Sequence, residues 1–183
     1  RDGGKPLGVK APTYRQVAEG FATQGVTSLR VDKRGMFASG LAAADPNAVT
    51  VVDLAADAHS WAVKLKAETG APCVWLFGHS DGGTIALLHA ARHPVAGVIA
   101  VAPHLFVEEI SVKSIELARD AFESSDLRTR LARHHADPDS AFRGWNDAWL
   151  SPDFRDWNVE REIETITCPV LAVQGLDDEY GTL

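Results

Sequence analysis

The sequence has few cysteines, and no combination of residues in it is typical of a metal site. Its 183 residues include two cysteines. Cys73 lies in a segment predicted to be a buried strand, and Cys168 lies just before another. Cysteines in such segments are typical of reduced core residues, which argues against a disulfide framework. No cluster of histidines and carboxylates has metal-ligand spacing. We therefore predict no metal and no cofactor.

Positive charge and long apolar runs are also scarce. Lys and Arg number 18 against 25 Asp and Glu, a formal net charge of −7, and no basic patch is present. This balance argues against nucleic acid and anionic membranes as partners. The longest apolar stretch, Val95–Val107, is interrupted by Pro103 and His104 and is too short to span a bilayer. No signal-peptide pattern opens the sequence, which favours a cytoplasmic protein.

Predicted strands and helices alternate along most of the chain. This alternation predicts an α/β fold with an open, mostly parallel sheet and helices on both faces. The predicted helices are Tyr14–Gly25, Asp53–Thr69 and Thr84–Ala91, and the predicted strands are Val26–Val31, Cys73–Phe77, Val95–Ala102 and Val170–Gln174.

The segment Gly78–Gly83 carries the strongest functional signal. Its Gly-x-Ser-x-Gly motif lies between a predicted strand and a predicted helix, as in a nucleophile elbow. Gly78 and Gly82 have no Cβ to collide where the turn is tightest. Ser80 is then predicted to be strained and exposed at the top of the sheet, facing the N–H groups of the following helix.

The region 106–167 interrupts the alternation, because it contains no convincing strand. We expect residues 1–105 and 168–183 to form the core and residues 106–167 to form a helical cap, or lid. Phe142, Trp145 and Trp149 in this region follow helical spacing. They either pack the cap on the body or line an apolar substrate pocket.

Three segments resemble the α/β-hydrolase superfamily, in the branch with a helical cap. Arg30–Ser39 resembles its Asp-x-Arg-Gly-x-Gly-x-Ser signature, with Phe37 at the second glycine, and Gly78–Gly83 matches its elbow. Pro169–Asp178 resembles the strand that delivers the catalytic acid. The first half of the chain resembles hydrolases related to the serine-aminopeptidase group, and the second half resembles another bacterial group. Natural divergence, a composite gene and an artificial chimera all fit this difference.

The resemblance implies a serine hydrolase that acts on a small-molecule ester, amide or activated carbon–carbon bond. Ser80 would be the nucleophile, and Asp178 the acid, with Asp177 as the alternative. The backbone N–H of Asp81 would be an oxyanion donor. The substrate pocket is predicted to include four aromatic side chains. They are His79, His104, Trp145 and Trp149.

The triad histidine should follow the acid in chain order. No histidine follows Asp178, and the residues expected to carry the second oxyanion donor would lie before Arg1, so we expect a chain cut at both ends, with weak or no activity by itself. A non-catalytic or ligand-binding protein with the hydrolase fold is the alternative. The sequence leaves the oligomeric state open.

Overall fold

Helices alternate with the strands of a parallel sheet in the computed structural model, which describes residues 13–45, 48–133, 135 and 137–182. The helices are α1 (Thr13–Thr23), α2 (Val51–Thr69), α3 (Asp81–Arg92), α4 (Glu109–Ser124), α5 (Leu127–Leu131), α6 (Pro138–Leu150) and α7 (Glu160–Ile163). The strands are β1 (Trp75–His79), β2 (Gly97–Val101) and β3 (Val170–Val173). Short 3₁₀ segments cover Phe37–Ala42 and Pro152–Phe154.

The chain divides into two compact units. The first consists of Arg1–Val49 and Ala121–Gly144, and the second of Thr50–Asp120 and Trp145–Leu183. In the first unit, the rings of Phe122 and Phe142 stack with their centroids 4.1 Å apart. The second unit contains the sheet and the elbow.

The sheet has the strand order β1-β2-β3, and both pairings are parallel. Trp75 lies opposite Gly97, and Val98 lies opposite Val170. Because the strands run in the same direction, their carboxyl ends share one edge of the sheet. The segments after β1, β2 and β3 therefore meet at that edge.

The core of this unit lies where α3 packs on the sheet and on α2. One buried cluster comprises Ala86, Leu87, Val98 and Ala100, and a second comprises Ala55, Leu88 and Val159. Helix α2 begins at a capping box in which the Asp53 N–H donates to Thr50 Oγ1 (3.2 Å) and the Thr50 N–H donates to Asp53 Oδ2 (2.9 Å). The cap explains why this helix starts two residues before the predicted Asp53.

Two predictions about the strands are wrong. Val26–Val31 forms no strand, and its backbone pairs with no strand of the described residues, so Val26, Leu29 and Val31 remain exposed. A β-strand needs a partner for its backbone, and apolar β-branched residues alone do not supply one. Cys73 is exposed and precedes β1, whereas Cys168 is partly buried; both are free thiols.

The region 106–167 is helical, as its sequence predicts. It contains α4, α5, α6 and α7, and its β structure in the described residues is one isolated antiparallel bridge between Phe106 and Asn158. No helix in the described ranges is long and apolar enough to cross a membrane.

Candidate active site

Ser80 occupies the sharp turn between β1 and α3 in a backbone conformation that is rare for a residue with a side chain. Its φ is 56° and its ψ is −128°. The Ser80 N–H donates to the carbonyl oxygen of Val101 (2.9 Å), which ties the turn to the end of β2. Such strain persists only where the surrounding structure enforces it, and it is concentrated at functional sites.

The glycines of the elbow differ in their steric roles. A Cβ added at Gly78 would lie 2.0 Å from the carbonyl oxygen of Gly82, a contact that no real side chain tolerates. A Cβ added at Gly82 would meet nothing within 4 Å, so the prediction that Gly82 avoids a collision is wrong. Gly83 has a separate role, since its Cβ would lie 3.1 Å from Cβ of Pro103. The close approach in this turn therefore depends on Gly78.

The first turn of α3 leaves donors unused beside Ser80. The carbonyl oxygen of Ser80 accepts from the N–H groups of Gly83 (2.8 Å) and Thr84 (3.2 Å). The N–H groups of Asp81 and Gly82 have no acceptor within the described residues. Unpaired N–H groups at a helix N-terminus attract negative charge.

Asp178 lies in the loop after β3 with both carboxylate oxygens held. Oδ2 accepts from Nε2 of Gln174 (3.0 Å), and Oδ1 accepts from the Tyr180 N–H (2.8 Å). The alternative acid, Asp177, is exposed and makes no hydrogen bond within the part of the chain that the structure describes. Of the two neighbours, Asp178 is the one with a fixed orientation.

The segment that follows Asp178 is attached to α4. The hydroxyl of Ser111, which is fully buried, donates to the carbonyl oxygen of Tyr180. The hydroxyl of Ser114 donates to the carbonyl oxygen of Glu179 (2.6 Å). These bonds restrict the loop that carries Asp178.

His104, after β2, lies among groups from the neighbouring elements. Its half-buried ring meets the indole of Trp149 edge to face, with centroids 4.8 Å apart and planes at 71°. Burial lowers the pKa of His104, and three nearby carboxylates partly oppose that effect. The carboxylates are those of Asp81, Asp178 and Glu108. The charge of His79 lowers the same pKa.

The other three predicted pocket residues differ in exposure. His79, the last residue of β1, is exposed. Trp145 is half-buried and directs an edge contact at the ring of Tyr180, with centroids 6.2 Å apart. Trp149 is only 8% exposed and also contacts Phe154 (5.2 Å between centroids). Trp149 thus has packing contacts, and it also borders His104.

Sequence reasoning missed Thr84, Glu108 and Gln174. One local feature of the sequence could have indicated Thr84, because it is a polar residue at the start of the apolar helix behind the elbow. Glu108 accepts from the Thr182 N–H (3.2 Å), and Gln174 holds Asp178. The contact of Glu108 joins residues that are distant in the chain, so no local pattern reveals it.

Beside the loop of Asp178 lies a depression of about 500 Å³ on the surface of α4. Its lining is mainly apolar and consists of Ile110, Ser114, Leu117, Ala118, Glu179 and Tyr180. Its size is in the range of ligand sites.

Comparison with known proteins extends these findings. Residues 7–144 match the model of a family described as serine aminopeptidase, S33. No curated protein matches the chain. Among solved structures, a carboxylesterase structure from the ammonia-oxidizing thaumarchaeon Nitrososphaera gargenis is similar over 96% of this chain and 71% of that chain. The TM-score is 0.59 and the identity 18%, so this likeness bears on the fold alone.

Proposed function

Because the chain belongs to the serine aminopeptidase S33 family, within the α/β-hydrolases, we propose that Ser80 is the nucleophile of a hydrolase acting on small molecules. Its target is the carbonyl carbon of an ester, an amide or an activated carbon–carbon bond. The observation that supports this most is the positive φ of Ser80, in a turn that only glycine at position 78 permits. Backbone strain of this kind is concentrated at functional sites.

The proposed reaction begins with attack of Ser80 Oγ on the carbonyl carbon. The carbonyl oxygen then gains negative charge, and the free N–H of Asp81 donates to it. An oxyanion donor of this kind typically lowers the barrier by about 3 kcal/mol.

Asp178 is the proposed acid, because its carboxylate is oriented by Gln174 and by the Tyr180 N–H. In this mechanism the acid orients a histidine, which takes the proton of the nucleophile. In chain order that histidine follows the acid, and no histidine follows Asp178 in the 183 residues. We therefore expect these 183 residues alone to turn substrate over slowly, and covalent labelling to be the better measure of Ser80.

The proposed substrate pocket is bounded by His79, His104, Trp145 and Trp149, and region 106–167 acts as its lid over the core of residues 1–105 and 168–183. The depression on α4 offers further apolar surface, and its lining includes Glu179, the residue after Asp178. Apolar walls with few polar groups favour small organic esters or amides.

A fluorophosphonate probe tests the proposal, since it modifies an activated serine covalently. Intact-mass measurement should find one adduct on the wild-type chain and none on Ser80→Ala. Ser60→Ala, at an exposed serine of α2, is the matched control and should label normally.

Two results contradict the proposal. One is labelling that persists in Ser80→Ala. The other is no labelling of Ser80 in this chain or in a longer gene product that contains it, which favours the non-catalytic, ligand-binding alternative.

A further inference from the structure

One buried hydroxyl group joins the turn of Ser80 to the segment of His104. Thr84 is 1% exposed, and its N–H donates to the carbonyl oxygen of Ser80 (3.2 Å). Its Oγ1 donates to the carbonyl oxygen of His104 (2.6 Å) and accepts from the His104 N–H (3.2 Å). A single side chain therefore satisfies both backbone groups of His104.

Two further features restrict the chain just before His104. Ala102 has a φ of 46°, in the left-handed region, and its N–H donates to the carbonyl oxygen of Val173 (2.8 Å). Pro103 follows and lies against Gly83 of α3. A strained residue and a proline leave this turn few alternative conformations.

The ring of His104 lies between the elbow and the loop of Asp178. Its electrostatic neighbours include Asp81 in the elbow and Asp178 after β3. On another side, its Cε1 lies 3.8 Å from the position that a Cβ of Gly181 would occupy. A Cβ at position 181 would be in ordinary van der Waals contact with the imidazole.

We propose that Thr84 is a positioning residue that holds His104 in the site, where the imidazole hydrogen-bonds an uncharged polar group of the substrate. This rests on the proposed hydrolase function. A neutral imidazole offers one donor and one acceptor, which suits a carbonyl or hydroxyl group. Three carboxylates near the ring, those of Asp81, Asp178 and Glu108, disfavour an anionic group there.

The test combines labelling kinetics with a direct probe of the ring. The variants are Thr84→Val, which removes the hydroxyl, Thr84→Ser, which keeps it, and His104→Gln. Labelling by a neutral fluorophosphonate whose alkyl chain carries an amide carbonyl is measured against probe concentration, to separate its binding constant from its maximal rate. Thr84→Val and His104→Gln should weaken binding by about fivefold, the loss of one neutral hydrogen bond, with the maximal rate changed less than about twofold. Thr84→Ser should behave as wild type.

The second measurement is the pH titration of the His104 ring by NMR, with the resonance assigned through His104→Gln. In wild type its pKa should lie below the ordinary value of 6.5, because the ring is buried. Thr84→Val should raise this pKa towards 6.5 as the ring gains access to water, and Thr84→Ser should not. This measurement does not depend on catalysis, and a merely structural role of Thr84 would not move it.

The outcomes separate the two proposals. If Ser80 is labelled neither in this chain nor in a longer gene product that contains it, the proposed function fails, and the titration alone decides the role of Thr84. If Thr84→Val leaves the titration and the probe binding unchanged, the positioning role is wrong. Should Thr84→Val fail to fold, Thr84→Ala replaces it.

Discussion

The two ends of α3 each have a histidine shielded from water, in opposite electrostatic settings. Near the N-terminal end, His104 is half-buried, its backbone is held by Thr84, and carboxylates oppose the effect of burial. Near the C-terminal end, His89 is 1% exposed, and neither ring nitrogen has a partner within the described residues. Burial, together with the charges of His93 and His59, lowers the pKa of His89 to about 4.

This difference separates a candidate binding group from a packing group. His59 stacks on His93 with ring centroids 3.8 Å apart, and His89 lies beside both rings. These three histidines do not form a metal site. Within the described ranges, no group of three or more His, Cys, Asp or Glu side chains is arranged to bind a metal ion. A buried imidazole without a partner only fills space while it stays neutral. His104 has polar surroundings and a place at the sheet edge where Ser80 and Asp178 also lie.

The largest expected effect is on the free energy of unfolding, for substitutions in the turn at the N-terminal end of α3. Gly78→Ala would place a Cβ 2.0 Å from the carbonyl oxygen of Gly82, so it should cost more than about 3 kcal/mol or prevent folding. Gly82→Ala is the matched control; with nothing within 4 Å of its Cβ, it should be neutral or stabilise α3 by up to about 1 kcal/mol. Urea unfolding measures both. Equal stability losses would show that the elbow is not packed as described.

The next largest effect is a loss of folding stability at low pH, which arises from His89 near the C-terminal end of α3. The pKa of His89 is about 4 in the folded chain and 6.5 for a free imidazole, so the unfolded chain binds more protons between these values. Stability is therefore fully present above pH 6.5 and falls as the pH drops towards 4, by about 2–3 kcal/mol.

His89→Leu should remove most of that loss, which urea midpoints at pH 7, 6, 5 and 4.5 would measure. The control is His79→Gln, at an exposed position on β1, which should change the profile far less than His89→Leu. A His89→Leu profile as steep as that of wild type would rule out His89 as the source.

A smaller effect is expected on the rate of Ser80 labelling, when the two neighbouring carboxylates are removed one at a time. In a longer gene product that supplies the histidine, Asp178→Asn removes the charge that Gln174 and the Tyr180 N–H orient, so fluorophosphonate labelling of Ser80 should slow by about tenfold or more. Asp177→Asn, at an exposed position, should change the rate less than about twofold. The reverse order would make Asp177 the acid.

The smallest expected effect is on the pKa of His89 when His93 is replaced, because the charge of His93 lowers that pKa. His93→Gln removes that like charge, so the pKa of His89 should rise slightly towards 6.5. The acid-induced loss of stability should then shrink slightly. NMR titration of the His89 ring measures this shift, and a fall in its pKa would contradict the assignment.

Much of the fold was accessible from sequence because its signals are local. The amphipathic pattern of Tyr14–Gly25 predicted α1, and the apolar runs before and after the elbow predicted β1 and β2 to within two residues. Val26–Val31 has the composition of a strand, yet a strand is made by its neighbour rather than by its own residues. The predictions for Gly82 and Cys73 failed for a related reason, since each depended on what lies beside the residue.

The sequence by itself determined the elbow, since the spacing of Gly78 and Ser80 between an apolar run and a helix is a local chemical requirement. It also placed the candidate acid within two neighbouring residues. Only the tertiary structure decided that Asp178, rather than Asp177, has an oriented carboxylate, and that Thr84 holds His104 beside the elbow. These contacts join segments that are distant in the chain or depend on how the loop after β3 turns. They follow from packing in three dimensions, which periodicity and spacing along a sequence do not encode.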